Sequence, residues 1–173
     1  MDLSSIIRAN NVTRERLREL VGRMSDIDLT RDLGDGWTIA AVLAHCAFYD
    51  LRIVALFERW QQTGEVAALP VEANILNAAL LPLALALPPR AAANLAVEAA
   101  EAADGKVAEL ELEMDLMDKL EEAKGLAVSL LRSEHRKEHI RQIEAALVSL
   151  SSAPKKPSVR VKAGEKPDKK LRG

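Results

Sequence analysis

Apolar residues recurring at helical spacing run through most of this chain, and they restrict it to a helical fold. Leu3, Ile6, Ile7, Leu17, Leu20, Val21 and Met24 lie three, four and seven apart, on one face of a helix that closes near Gly22. Asn10 falls on the same line, an odd place for an amide. Ser25 and Asp28 have capping-box spacing for a short helical turn before Gly34-Asp35-Gly36. Thr38 then reads as an N-cap, because an unbroken apolar pattern starts at Ile39 and runs to about Gln62, with Gly64 as its stop.

Glu72 to Leu87 reads as helical but broken by Pro82. Pro88-Pro89 can start the next helix, which runs to about Glu113 with Gly105 inside it. Within residues 114–128, Lys119 to Lys124 looks helical, and Gly125 to Leu131 could be extended. Ser133 is a plausible N-cap for a last helix that carries Ile140, Ile143, Ala146, Leu147 and Leu150. Only 3% of the chain is aromatic, and Ala, Leu, Glu, Lys and Arg dominate from Gly64 to Ser152. Four substantial amphipathic helices without a convincing strand predict an all-α chain, a four-helix bundle. No fixed-period repeat is visible.

The net charge of −2 is unevenly spread. From Ser152 onward, Lys155, Lys156, Arg160, Lys162, Lys166, Lys169, Lys170 and Arg172 face only Glu165 and Asp168. That segment carries +6 and residues 1–151 carry −8. With Pro154, Pro157, Pro167 and Gly164 and no apolar period, residues 152–173 read as a disordered basic tail on a domain of residues 1–151. An acidic body argues against a specific nucleic-acid surface. The one cysteine, Cys46, allows no intrachain disulfide and fits a reducing cytoplasm. The chain does not open like a secretory signal. Its longest uncharged run, Ala73 to Pro89, falls short of the roughly 20 apolar residues that cross a bilayer, so no membrane is expected.

The chemistry rests on the three histidines, His45, His135 and His139. His135 and His139 are four apart and project from one helix face, one turn apart. Two imidazoles so spaced can reach one transition ion at about 2.0–2.1 Å each. His45 shares a face with Val42, Tyr49 and Leu56, which aims it at other helices. Three histidines leave a coordination position open for water or substrate. The same pair on a helix with Arg132, Glu134, Arg136, Lys137 and Glu138 is, on spacing alone, more often just solvated surface. His135 to His139 also spells the H-x-x-E-H of inverted zinc peptidases, but those need a distant downstream carboxylate, and Glu144 is too close while Glu165 lies in the basic tail.

Trp37-Thr38, six further residues and His45, followed by Phe48-Tyr49-Asp50, resemble the segment opening the second helix of DinB-like (YfiT-like) proteins. His135 to His139 looks like the H-x-x-x-H of their last helix. The resemblance covers roughly residues 3–150. It implies a four-helix bundle, often a homodimer, whose three histidines bind Zn or Ni. The family includes thiol-dependent S-transferases and mycothiol-dependent maleylpyruvate isomerases.

Other residues are read around this set. Trp37 reads as packing on a neighbouring helix rather than as a pocket wall. Cys46 points about 100° away from His45 and reads as a small buried residue. Tyr49 and Arg52 could orient substrate. Gln142 or Glu138 could accept a hydrogen bond from a ligand histidine. Gly34-Asp35-Gly36 lacks a third glycine and reads as a turn, not a nucleotide loop. The leading expectation is a metal-dependent enzyme that activates a low-molecular-weight thiol or water against a small-molecule substrate. The competing one is a non-catalytic binding or stress-associated module that a metal only staples.

Overall fold

A computed structural model describes residues 2–66, 72–109 and 130–151. The described residues form six helices and one small hairpin: α1 Leu3–Arg23, α2 Asp26–Leu29, β1 Asp32–Gly34, β2 Trp37–Thr38, α3 Ile39–Thr63, α4 Ala73–Ala86, α5 Pro89–Glu109 and α6 Arg132–Ser151. The all-α expectation holds apart from the hairpin. The tail from Ser152, and the expectations for residues 114–128, lie outside the described residues.

Local chemistry explains most boundaries. Ser25 and Asp28 exchange hydrogen bonds at the start of α2, Ser25 N donating to Asp28 Oδ2 at 2.9 Å and Asp28 N to Ser25 Oγ at 3.2 Å. Thr38 Oγ1 accepts from Ala41 N at 3.1 Å, which caps α3. Gly64 ends that helix at φ 69°, a left-handed conformation that costs glycine nothing. Gly34, Asp35 and Gly36 all have positive φ and join β1 to β2, so this segment is a turn, as its sequence suggested. A strand pair this short escapes a period-two reading.

Two boundaries differ from expectation. Pro82 does not break α4, which runs through it. An interior proline costs about 3 kcal/mol. Against that, buried Ala84 and half-buried Leu81 flank it and pack into the core. Ser133 is not an N-cap, because α6 begins at Arg132. The Ser133 N–H instead donates to the Asn10 side chain of α1 at 3.0 Å.

α3 is the central element, packed chiefly on α5 and also against α4 and α6, while α1 packs on α5 and α6. Ala92, Ala93, Ala96, Ala99, Ala100 and Ala103 are all buried, so α5 presents a smooth face of small side chains to α3. The most apolar stretch of α3 averages 1.7 in hydropathy, enough in length and composition to cross a membrane, yet 67% of it is buried in this fold. It serves here as a core helix.

The core has two apolar parts. One gathers Leu17, Leu20, Leu29, Ile39, Leu43 and Ile140 around the alanines. The other gathers Ile6, Ile53, Phe57, Trp60, Val107 and Leu130. Between them along α1, α3 and α6 lies a buried polar layer of Asn10, Thr13, Asp50, Arg132, Ser133 and Arg136, joined from α5 by Asp104. The histidines sit at one edge of that layer.

Candidate metal centre

α3 and α6 build the centre. His45 lies one turn and a half into α3, and His135 and His139 lie on successive turns of α6. One ring nitrogen from each of the three falls within 4.8 Å of the others. His45 Nε2 and His135 Nε2 are 3.0 Å apart. The ring centroids of His139 lie 4.8 Å from His45 and 4.7 Å from His135. His45 is buried and the other two are half-buried. The sequence placed all three together, and so does the fold.

Their electrostatics suit ligation. Burial, reinforced by His139 and Arg132, lowers the pKa of His45 to about 4. Burial, with Arg132 beside it, lowers that of His135 to about 2. Both rings are therefore neutral at pH 7, the form a metal needs. His139 Nδ1 lies 3.1 Å from Gln142 Oε1, which can accept a hydrogen bond from Nδ1–H and leave Nε2 free. Glu138, the other candidate for that role, is exposed.

Beside the rings lies a cavity of about 220 Å³, lined by Trp37, Val42, His45, Asn77, His139 and Gln142. Trp37 packs against the core as expected, and it also walls this cavity, edge-on to His45 at 5.7 Å between centroids. Tyr49 lies tilted against His45, with ring centroids 4.8 Å apart, and its hydroxyl donates to Asn77 Oδ1 at 3.1 Å. Arg52 does not line the cavity. Cys46 is buried away from the histidines, and burial, with Asp50 nearby, pushes its thiol up to about 12. It is inert packing, as its helix phase suggested.

The chain matches no family model, no curated protein and no solved structure. The functional reading therefore rests on the site itself.

Two nitrogens held at about 2.0–2.1 Å from one ion, at octahedral to tetrahedral angles, lie about 2.9–3.4 Å apart. The 3.0 Å between His45 and His135 fits, and the third ring is near enough to join by a side-chain adjustment. An all-imidazole set suits a transition ion rather than Mg or Ca.

Sequence reasoning missed the support beneath the rings. Asp50 of α3 accepts from Arg132 Nε at 2.6 Å and from Arg136 Nε at 3.0 Å. Arg136 also donates to Asp104 at 2.9 Å and is fully buried. Burial works against its charge, but Asp50 and Asp104 more than offset this and raise its pKa. Arg132 Nη2 lies 3.1 Å from His135 Nδ1. Far from being solvated, these arginines anchor the histidine helix to α3. One signal was available: Arg136 shares the helix line of Ile140 and Ile143, so it had to face inward. Nothing in the sequence marked Asn77.

Proposed function

We propose that this chain is a DinB-like metal-dependent protein, a four-helix bundle in which His45, His135 and His139 hold a divalent transition ion, Zn or Ni, for chemistry on a small molecule. The observation that carries the reading is the convergence of the three imidazoles within 4.8 Å beside a cavity of about 220 Å³. Among the described residues no fourth His, Cys, Asp or Glu joins the group, which favours an open position over a closed structural site. When bound, such an ion lowers the pKa of a thiol or water and makes it a nucleophile at neutral pH.

The chain's own groups supply the rest. Gln142 orients His139, Trp37 and Val42 offer an apolar wall, and Asn77, held by Tyr49, offers a polar contact to substrate. In the form the resemblance suggests, the reaction is transfer of a low-molecular-weight thiol to a small electrophile. The same reading places a homodimer in the cytoplasm. The exposed apolar side chains of α4, Ile75, Leu83 and Leu85, support association with a second copy.

Elemental analysis of purified protein tests the centre: about one Zn or Ni per chain is expected, and His135→Ala or His139→Ala should sharply reduce it. Full occupancy in both variants would end the reading. Metal-loaded protein should then accelerate conjugation of cysteine, bacillithiol or mycothiol to a chlorinated aromatic or to maleylpyruvate, and chelated protein should not. Bound metal that raises the melting temperature without any thiol activity would favour the non-catalytic, metal-stapled module instead.

A further inference from the structure

α4 carries no charged side chain, and it meets the cavity beside the histidines through Asn77. The Asn77 amide has an acceptor oxygen and two donor hydrogens. Its oxygen is taken, because Oδ1 receives the Tyr49 hydroxyl at 3.1 Å. Tyr49 is itself fixed one helical turn beyond His45 on α3, with its ring against that histidine. Asn77 Nδ2 finds no acceptor among the described residues, so its hydrogens are left for whatever enters. Trp37 adds a second donor, since an indole nitrogen only donates and no described residue accepts from it. Gln142 keeps its oxygen 3.1 Å from His139 Nδ1. Val42 extends the apolar wall, and no Asp, Glu, Lys or Arg among the described residues lines the cavity. Beside its rings the chain thus offers hydrogen-bond donors without charge.

Volume and donors together name a ligand class. A dry cavity of about 150 Å³ holds benzene, and sites for drug-sized ligands span about 300–1,000 Å³. At about 220 Å³ this cavity fits a single ring with a small substituent. A donor left unpaired when water is driven out costs free energy, so the molecule that enters must bring an acceptor. A carboxylate, losing its hydration, finds no cationic side chain of the lining to pair with. Resting on the reading above that this cavity receives the small molecule, we propose that its ligand is an uncharged carbonyl compound of single-ring size. Asn77 Nδ2 binds the carbonyl oxygen and sets the specificity. Tyr49 is the positioning residue that turns the Asn77 amide so that its donors face the cavity. Of the electrophiles named above, a neutral aromatic with an oxygen acceptor is favoured over maleylpyruvate, a dicarboxylate.

Probes of nearly one shape test this. Acetophenone carries the carbonyl, α-methylstyrene has CH2 in place of its oxygen, and benzoate carries a full charge. Each is titrated into nitrogen-15-labelled protein as purified and followed by NMR at the Trp37 indole and Asn77 amide. Acetophenone should bind about three- to tenfold more tightly than α-methylstyrene, the weight of one neutral hydrogen bond, and more tightly than benzoate. Asn77→Leu should make acetophenone and α-methylstyrene equal. Tyr49→Phe should shrink the preference for acetophenone while leaving α-methylstyrene binding unchanged, which a merely structural loss would not do. No binding by any probe, α-methylstyrene as tight as acetophenone, or benzoate tighter than both would overturn the proposal. An unchanged preference in folded Asn77→Leu or Tyr49→Phe would do the same. If neither variant folds, the order of the probes on the wild-type protein decides alone. Elemental analysis of the same sample keeps the two readings apart. Bound ion without a carbonyl preference defeats this inference only, and a carbonyl preference without bound ion defeats only the metal reading.

Discussion

His45 and His135 give up most of their basicity to sit where they do, and this gives the fold a pH dependence. An unfolded histidine titrates near about 6.5. Burial lowers His45 to about 4 and His135 to about 2. As pH falls below 6.5 the unfolded chain takes up protons that the native state refuses, so stability drops. The drop continues to about 4 for His45 and to about 2 for His135, and above about 7.5 neither group contributes. Each adds a slope of up to about 1.4 kcal/mol per pH unit. Urea unfolding of chelated protein should show stability falling from pH 7 to 5, and His45→Gln should flatten that fall. An unchanged slope in the variant would refute the assignment. Asn10 acts at the same scale. Its amide donates to Leu130 O at 2.9 Å and accepts from Ser133 N at 3.0 Å, bridging the start of α6 from α1. Asn10→Leu strands both backbone groups in the interior and should cost about 2–4 kcal/mol by urea unfolding. A loss under 1 kcal/mol, on the order of one neutral hydrogen bond, would mean water replaces the amide.

α6 shows at the scale of the element why a polar-looking helix can be a core helix. Its inward face carries Arg132, His135, Arg136 and His139 before the apolar Ile140 and Ile143. The charges are tolerated because Asp50 and Asp104 neutralise them with close hydrogen bonds. Arg136→Met would leave two buried carboxylates without their shared cation and should cost about 3–5 kcal/mol. Arg18→Met, which breaks exposed pairs with Glu15 and Glu101, should cost no more than about 1 kcal/mol. Equal losses in the two variants would show that the buried layer holds nothing together. Legibility followed the same division. Helices bounded by local devices, the Ser25–Asp28 box, Thr38 and Gly64, could be read from neighbouring residues. The start of α6 could not, because its cap comes from Asn10, far away in the chain.

For the whole molecule, the polar layer between two apolar cores ties α1, α3, α5 and α6 together at the level of the histidines. The candidate metal centre and the fold should therefore be coupled. Saturating zinc should raise the melting temperature of wild-type protein, since a ligand that binds only the native state stabilises it. Removing residues 152–173 should change neither that midpoint nor the metal content, because the composition of this segment offers little to bury. A fall of more than about 2–4 °C, the scale of 1 kcal/mol in a domain of about 150 residues, would place the tail against the domain.

Apolar period and composition determined by themselves that this chain is helical and where most of its described helices lie, because those properties depend on residues within a turn or two of each other. They also brought His135 and His139 onto one face, since spacing along a helix sets direction. That His45 meets them depended on α3 and α6 packing together, which spacing along either helix does not set. The tertiary structure alone decided the buried fate of Arg132 and Arg136, the joining of Asp50 and Asp104 through one guanidinium, and the role of Asn10. Burial of a charge is settled by which opposite charge the fold delivers to it. Here those partners lie 32 to 86 residues away from Arg136.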